Sequence, residues 1–308
     1  MKIITYDKLK KRDDIFMLWL KSFGWAGAPA WLSNFARYDT RIGESPVGMC
    51  GIINDKIVGI VGIMTIPTRT KLGKTEEIGG IYGIATRPSY NRRGVGRQLL
   101  EASERYFKDR GMKFSFLTTE RPIVAYKWYL KAGYSDVTTV DNYPFMYKVF
   151  SRPNPKPEKS TSREYRFDLK KAREIFDWYA KSHCGFTIRS AKLFKSHDMA
   201  GSFTKKISVM VDNGYALLQN NCDSILIKEI VAKTQKTYRA LIRLAEKRAK
   251  YAVAAIHPFD PKARKALAAA GYQNDKGNYG TLMCKPLGKS RFSDYYDKNF
   301  MISKVDWF

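Results

Sequence analysis

Between an apolar run, Ile78 to Thr86, and an amphipathic run, Gln98 to Tyr106, the chain carries Asn91-Arg92-Arg93-Gly94-Val95-Gly96-Arg97. The first run reads as a strand and the second has helical spacing. A strand that passes through a glycine pair straight into a helix requires a sheet with helices laid against it, which places the chain in the α/β class. Glycine lets the backbone turn sharply and approach a ligand closely. The first turn of the helix then offers unpaired N–H groups and the positive end of its dipole, and the arginines add fork-shaped donors. The junction reads as a cradle for a pyrophosphate. Two other phosphate loops fail on spacing. Gly-x4-Gly-Lys-[Ser/Thr] is absent, and Leu99 stands where the dinucleotide fingerprint needs its third glycine.

The neighbouring patterns extend the α/β reading over the first half. Lys2 to Tyr6 predicts a strand, and Asp13 to Phe23 a helix with Ile15, Leu18 and Trp19 on one face. Gly48 to Ile53 and Lys56 to Ile66 form a hairpin about Asn54-Asp55. Ile57 to Ile66 is hydrophobic at nearly every position, as a strand covered on both sides would be. A helix from about Arg97 to Arg110 stops at Gly111, Lys113 to Thr118 is a strand, Ile123 to Ala132 a helix capped by Gly133, and Tyr143 to Phe150 a closing strand. Ser151 to Arg163, with three prolines among polar residues, reads as a linker. The expected division is therefore 1–150, a linker over 151–163, a second domain over 164–288, and a tail over 289–308.

The second half repeats the first in weaker form. Ile207 to Leu218 and Ile225 to Lys233 read as strands, Thr237 to Lys250 as a helix, Ala252 to His257 as a strand. A helix opened by Pro261 ends at Ala270-Gly271-Tyr272, as its counterpart ends at Ala132-Gly133-Tyr134. The spacing suggests an internal repeat of one domain. The copies differ at two places that matter for chemistry. Lys233-Thr234-Gln235-Lys236-Thr237 replaces the glycine–arginine loop, and Leu267 replaces Tyr129.

At 308 residues with 44% apolar content, two cored domains are expected. No apolar run approaches membrane-spanning length and the N-terminal residues carry no signal-peptide pattern, so a cytoplasmic protein is expected. Cys50, Cys184, Cys222 and Cys284 are scattered, without a Cys-x-x-Cys pair, and read as reduced thiols. His183-Cys184 has no second ligand pair nearby, so no metal site is expected. Lys and Arg outnumber Asp and Glu 55 to 29, a net charge of +26 that favours anionic partners and disfavours polycationic substrates.

Three groups of residues resemble the GNAT N-acetyltransferases. Asn91 to Gly96 is similar to that family's [Gln/Arg]-x-x-Gly-x-[Gly/Ala] loop, with Asn91 in the first place. Gly83-Ile84-Ala85-Thr86-Arg87-Pro88-Ser89-Tyr90 is similar to its fourth strand and the bend after it. Ala125, Tyr129 and Gly133-Tyr134 match A-x-x-x-Tyr-x-x-x-Gly-[Phe/Tyr], although Pro122 stands where an asparagine often does. One intact and one degenerate unit followed by a tail resembles the Eis-type branch. The resemblance implies two domains, each a mixed, mostly antiparallel sheet flanked by helices, and acetyl-CoA as cofactor. Backbone groups of Ile84, Ala85 and Thr86 would pair with the pantetheine arm. Amides from Arg92, Arg93, Gly94, Val95, Gly96 and Arg97, beside Asn91, would hold the pyrophosphate. Tyr129 would be the general acid for the departing thiolate.

Direct attack by an amine also needs a base. Glu76, Glu77 and Glu120 are the carboxylates near the central strands, and Glu120, just past the fifth strand, is the candidate. The tail, Phe292 to Phe308, is rich in aromatics and expected to dock on the body. By the Eis-type resemblance, Asp306 or the Phe308 carboxylate would lie near Tyr129. No cysteine sits in a nucleophile setting, so transfer within a ternary complex is expected. The acceptor would be a primary amine on a neutral or anionic small molecule or an acidic protein. The rival reading is a nucleic-acid-binding or RNA-directed protein that keeps the fold. It rests on the charge and on Tyr126, Lys127 and Trp128.

Overall fold

The computed structural model describes residues 1–24, 36–43, 46–137, 144–153, 163–275, 280–298 and 300–307. They fall into two units, and neither is continuous in sequence. The first comprises Met1–Val137 and Tyr279–Asp297, the second Thr138–Asn278 and Lys298–Trp307.

In the first unit the elements are β1 (Lys2–Thr5), α1 (Asp13–Phe23), β2 (Gly48–Ile53), β3 (Lys56–Arg69), β4 (Thr75–Thr86), α2 (Val95–Asp109), β5 (Phe114–Glu120), α3 (Val124–Lys131), β6 (Ser135–Asp136) and, far along the chain, β14 (Gly280–Pro286). The sheet runs β1-β2-β3-β4-β5-β14-β6. Only β4 and β5 are parallel; every other neighbouring pair is antiparallel. One face packs Val58, Val61, Ile81 and Leu117 against Leu99 and Phe107 of α2. The other packs Ile57, Ile60 and Ala85 against Ile15, Leu18 and Trp19 of α1. That two-sided cover is why β3 needs hydrophobics on consecutive positions rather than alternate ones.

In the second unit they are β7 (Phe145–Val149), α4 (Leu169–Ala180), the short β8 (Gly185–Thr187), α5 (Ala191–Met199), β9 (Val209–Val211), β10 (Gly214–Asn221), β11 (Ser224–Ala232), α6 (Gln235–Glu246), β12 (Ala252–Ile256), α7 (Pro261–Ala269) and β13 (Gln273–Asp275). The sheet runs β13-β7-β12-β11-β10-β9. Again a single neighbouring pair, β11 with β12, is parallel. Around that pair the two sheets have the same order: β3-β4-β5-β14-β6 in one and β10-β11-β12-β7-β13 in the other. The expected internal repeat is therefore present as topology. Even the helix stops match. Tyr134 N–H reaches back to Tyr129 C=O at 3.0 Å past Gly133, and Tyr272 N–H to Leu267 C=O at 3.1 Å past Gly271.

Three sequence expectations are corrected. Tyr143 to Phe150 was expected to close the first sheet, but β7 pairs with β12 and β13 in the second. The corresponding place beside β5 is taken by β14, with Gly280 opposite Glu120 and Pro286 opposite Phe114. The boundaries at 150 and 288 consequently do not delimit the units. A strand's pattern records that it is half-buried, not which sheet buries it. Ile207 to Leu218 is two strands, turned at Asn213, whose φ is +59°. Of the linker, residues 154–162 lie outside the described residues. The tail divides. A helical turn at Phe292–Tyr295 and the following Tyr296 gather around Phe114 in the first unit. Phe300, Met301, Ile302 and Val305 are buried in the second.

Candidate functional site

The site begins where β4 and β5 part. Their pairing runs from Gly79 and Ser115 to Ile81 and Leu117, yet β4 continues to Thr86 and β5 to Glu120. On its other side β4 is bulged. Gly62 faces Tyr82 and Ile60 faces Ala85, leaving Gly83 and Ile84 as the inserted step. The Gly83 carbonyl is held by the Trp19 indole N–H at 2.8 Å. A bulge re-aims the strand beyond it. From Tyr82 to Thr86, the edge of β4 toward β5 has no strand partner among the described residues. Such an edge can receive an extended ligand through backbone hydrogen bonds. Ile84, Ala85 and Thr86, chosen from sequence, are the residues of this edge.

Directly after it, Pro88–Tyr90 makes one 3₁₀ turn, and the chain enters α2 through Arg92 (φ +59°) and Gly94 (φ +77°). Gly94 is the N-cap, and no side chain caps the helix. The first N–H groups of α2, on Val95, Gly96 and Arg97, are thus left to an outside acceptor. The Val95 side chain is buried and anchors the helix start on β3, while Asn91, Arg92, Arg93, Gly94 and Arg97 are exposed. Arg97 pairs with Glu101 at 2.9 Å, Arg93 lies 5.4 Å from the Tyr90 ring centroid, and Arg87 is committed to Asp14 at 2.8 Å. A Cβ on Gly96 would stand 3.6 Å from Thr86 Oγ1 and 3.9 Å from the Trp128 ring. Gly96, Thr86 and Trp128 therefore converge where the strands part. The bulge at Gly83 was not singled out from the sequence, and Trp128 was named only in the nucleic-acid reading, not as part of a coenzyme groove. No local pattern distinguishes a tryptophan that lines a groove from one in a core.

Tyr129 lies on α3, one turn before the Gly133 stop. It is 8% exposed and packs on Trp128 (ring centroids 4.9 Å apart) and Tyr134 (6.2 Å). Tyr134 in turn shares a 2.7 Å hydrogen bond with Ser115 of β5, tying the helix end to the sheet. Among the described residues the Tyr129 hydroxyl has no hydrogen-bond partner. Burial pushes its pKa up to about 12, so the phenol is a proton carrier at neutral pH. Glu120 is exposed at the end of β5. Glu76 is not available as a base, because Lys113 Nζ holds it at 2.6 Å. Asp306 is not available as a base either. Both its oxygens are taken in the second unit, by Arg189 (2.9 Å) and His197 Nε2 (2.9 Å). Phe308 lies outside the described residues. Burial holds the Cys50 thiol up at about 12 and raises Cys284 as well, which leaves neither a thiolate nucleophile.

The second unit has the same parting of strands without the open groove. β11 pairs with β12 only to Ile227 and Ala255, and its register shifts at the next residue. At the head of α6 the Thr234 side chain accepts from Thr237 N–H, which removes one of the open donors. Gln235 Nε2 donates to Lys262 C=O at 3.2 Å and Tyr238 to Asp260 at 2.5 Å, drawing α6 and α7 together. Beyond Ile227 the space is filled by the tail. Arg189 bridges Glu229 of β11 (2.6 Å) to Asp306, Ser303 bonds Glu229, and Trp307 stacks on His257 with ring centroids 5.1 Å apart.

Residues 12–134 match the family model described as acetyltransferase (GNAT) family. No curated protein matches the sequence. Among solved structures, the chain is similar to a GCN5-related N-acetyltransferase from Kribbella flavida, at 18% identity and a TM-score of 0.66, over 92% of this chain and 70% of that one. It is similar to Eis1 from Mycobacterium abscessus at 15% identity and 0.61, over 93% and 74%. A GCN5-related N-acetyltransferase from Anabaena variabilis gives 12% and 0.66, over 93% and 73%. At these identities the likeness is one of fold, and it extends over both units. Residues 12–134 thus match the GNAT acetyltransferase family model, within a chain whose mixed-sheet fold is that of solved GNAT N-acetyltransferases.

Proposed function

We propose that the first unit is an acetyl-CoA-dependent N-acetyltransferase acting on a primary amine, and that the second is a non-catalytic copy. The observation that carries this is the unpartnered edge of β4 running straight to an uncapped helix start, with a buried, protonated phenol on the next helix. The edge would bind the amide-bearing pantetheine arm, and the amides of Val95 to Arg97 its pyrophosphate. In the transfer, the neutral amine nitrogen attacks the thioester carbonyl and the C–S bond breaks. Tyr129 gives its proton to the leaving thiolate, and the proton of the new ammonium passes to a base. Glu120 is the proposed base, with the terminal carboxylate of Phe308 the second candidate. The net charge of +26 favours a neutral or anionic acceptor over a polycation. The nucleic-acid reading has that charge behind it, but of its aromatics Trp128 faces Gly96 and the Tyr126 hydroxyl is bonded to Asp136.

Calorimetric titration with acetyl-CoA tests the reading. Saturable binding by the intact chain, lost when Gly94 and Gly96 are both replaced by valine in a protein that still folds, is the expected result. A folded protein that gives no heat with CoA or its esters would overturn the assignment. Replacement of Glu120 by Gln and removal of the last residues, each assayed for transfer, separate the two base candidates.

A further inference from the structure

We propose that the second unit carries a binding site of its own for a small aromatic carboxylate, in a cavity of about 330 Å³ between the end of α4 and the head of α7. The inference does not rest on coenzyme chemistry in the first unit. Tyr179, Phe186 and Phe259 form the wall, their rings meeting edge to face or tilted at centroid distances of 5.3, 5.7 and 4.9 Å. Met301 completes an apolar floor, and all four are at most 7% exposed. Such a wall accepts a flat ring, by edge and face contacts of the kind these residues already make with each other.

Three polar groups converge on the same space. The His183 ring stacks on Tyr179 at 4.2 Å and 11°. Its Nδ1 is fixed 2.8 Å from Tyr179 C=O and 3.1 Å from Ser182 Oγ. Its Nε2 and the Tyr179 hydroxyl have no hydrogen-bond partner among the described residues. Arg264, half-buried on the first turns of α7, supplies a fixed positive charge at the rim. An apolar cavity with a few convergent polar groups is the usual form of a small-molecule site.

A cage of aromatic rings could also receive a cation. The guanidinium and the net charge of +26 decide against it. Among the described residues that line the cavity none is a carboxylate, and neighbouring Asp260 is occupied by the Tyr238 hydroxyl at 2.5 Å and the Lys262 N–H at 2.7 Å. A carboxylate can take the attraction of the guanidinium charge together with a hydrogen bond from the phenol.

The full chain, titrated by calorimetry with 2-naphthoate and with uncharged 2-naphthamide, tests this. Saturable binding of the carboxylate at a single site is expected, weakened about tenfold for the amide and for Arg264→Gln, since a charge-assisted bond is lost in each. Tyr179→Phe and His183→Gln are expected to weaken it less. Melting scans establish that each variant folds, and His183→Gln, on a half-exposed residue, keeps the test open if Arg264→Gln does not. The proposal is overturned if the folded chain gives no saturable heat, if amide and carboxylate bind alike, or if no folded variant differs from the parent.

Discussion

Tyr129 shows how one residue can be both packing and chemistry. Its ring fills the core between Trp128 and Tyr134. The same burial that stabilises the ring disfavours the phenolate, which is why the pKa rises to about 12. The acid form is the one the proposed step needs, and it is fully present below that value. Loss of the general acid therefore sets in only as pH approaches about 12. The expected consequence is that Tyr129→Phe lowers the single-turnover rate on the order of 10²-fold while leaving CoA affinity unchanged. The ratio of parent to variant should stay flat from about pH 7 to about pH 10, because the ordinary tyrosine pKa near 10 has been left behind. A ratio that collapses toward unity within that range would remove Tyr129 from the proton path. The cysteines give a second expectation at this scale. Cys50, Cys184 and Cys284 are buried and only Cys222 is exposed. Iodoacetamide should label one site rapidly in the native protein and leave transfer activity intact, which mass spectrometry of the labelled protein checks.

At the scale of elements, the start of α2 separates binding from stability. Gly94 has φ +77°, and a Cβ there would meet only the Gln98 side chain at an ordinary 3.7 Å, so a side chain at this position meets backbone strain rather than a clash. The cost of holding an L-residue in that conformation is about 1–2 kcal/mol. Gly96 is the reverse case. Its backbone is ordinary, and a methyl group would make only van der Waals contact at 3.6 Å with Thr86 and 3.9 Å with Trp128. Gly96→Ala should therefore leave the melting temperature unchanged. It should weaken CoA binding about tenfold if the pantetheine arm passes between those three residues, since about 1.4 kcal/mol of lost contact is a factor of ten. Gly94→Ala should do the opposite, lowering stability more than affinity. The glycine pair, Tyr129 and the strand–helix order were legible in the sequence because each is a local pattern, a turn chemistry or a period. The bulge at Gly83 was not, since it depends on which residue of β3 faces which residue of β4. The cluster of Arg189, Glu229 and Asp306 was equally hidden. Its members lie 40 and 117 residues apart and meet only after folding.

For the whole molecule, the exchange of strands makes each unit depend on a distant part of the chain. β5 needs β14, whose Leu282 and Met283 are fully buried. β12 needs β7, which precedes the rest of its own sheet by many residues. The tail adds a third such dependence. Asp306 and Arg189 are both wholly buried; Glu229 still balances the Arg189 charge when Asp306 is removed, but the buried donors of Arg189 and His197 lose their acceptor, at a cost of about 1–3 kcal/mol for a group left unpaired. Asp306→Ala should lower the urea midpoint of the second unit by that order, read by a probe confined to it such as exchange protection of β10 and β11. The stronger test concerns the strands. Residues 1–150 end at the boundary the linker suggests, contain every catalytic residue proposed except Phe308, and lack β14. Without it, β5 presents an unpaired edge and Phe116 and Leu117 lose cover, a configuration prone to pairing with other chains. That fragment should aggregate or remain unfolded. A chain in which residues 1–137 are joined through a short flexible linker to 279–297 should be monomeric and cooperatively folded, because it restores the full order β1-β2-β3-β4-β5-β14-β6. Sedimentation and thermal melting distinguish the two designs. A well-folded monomeric 1–150 fragment would mean that β7 can take the place of β14 beside β5, and that the exchange is a choice of pairing rather than a requirement of the fold.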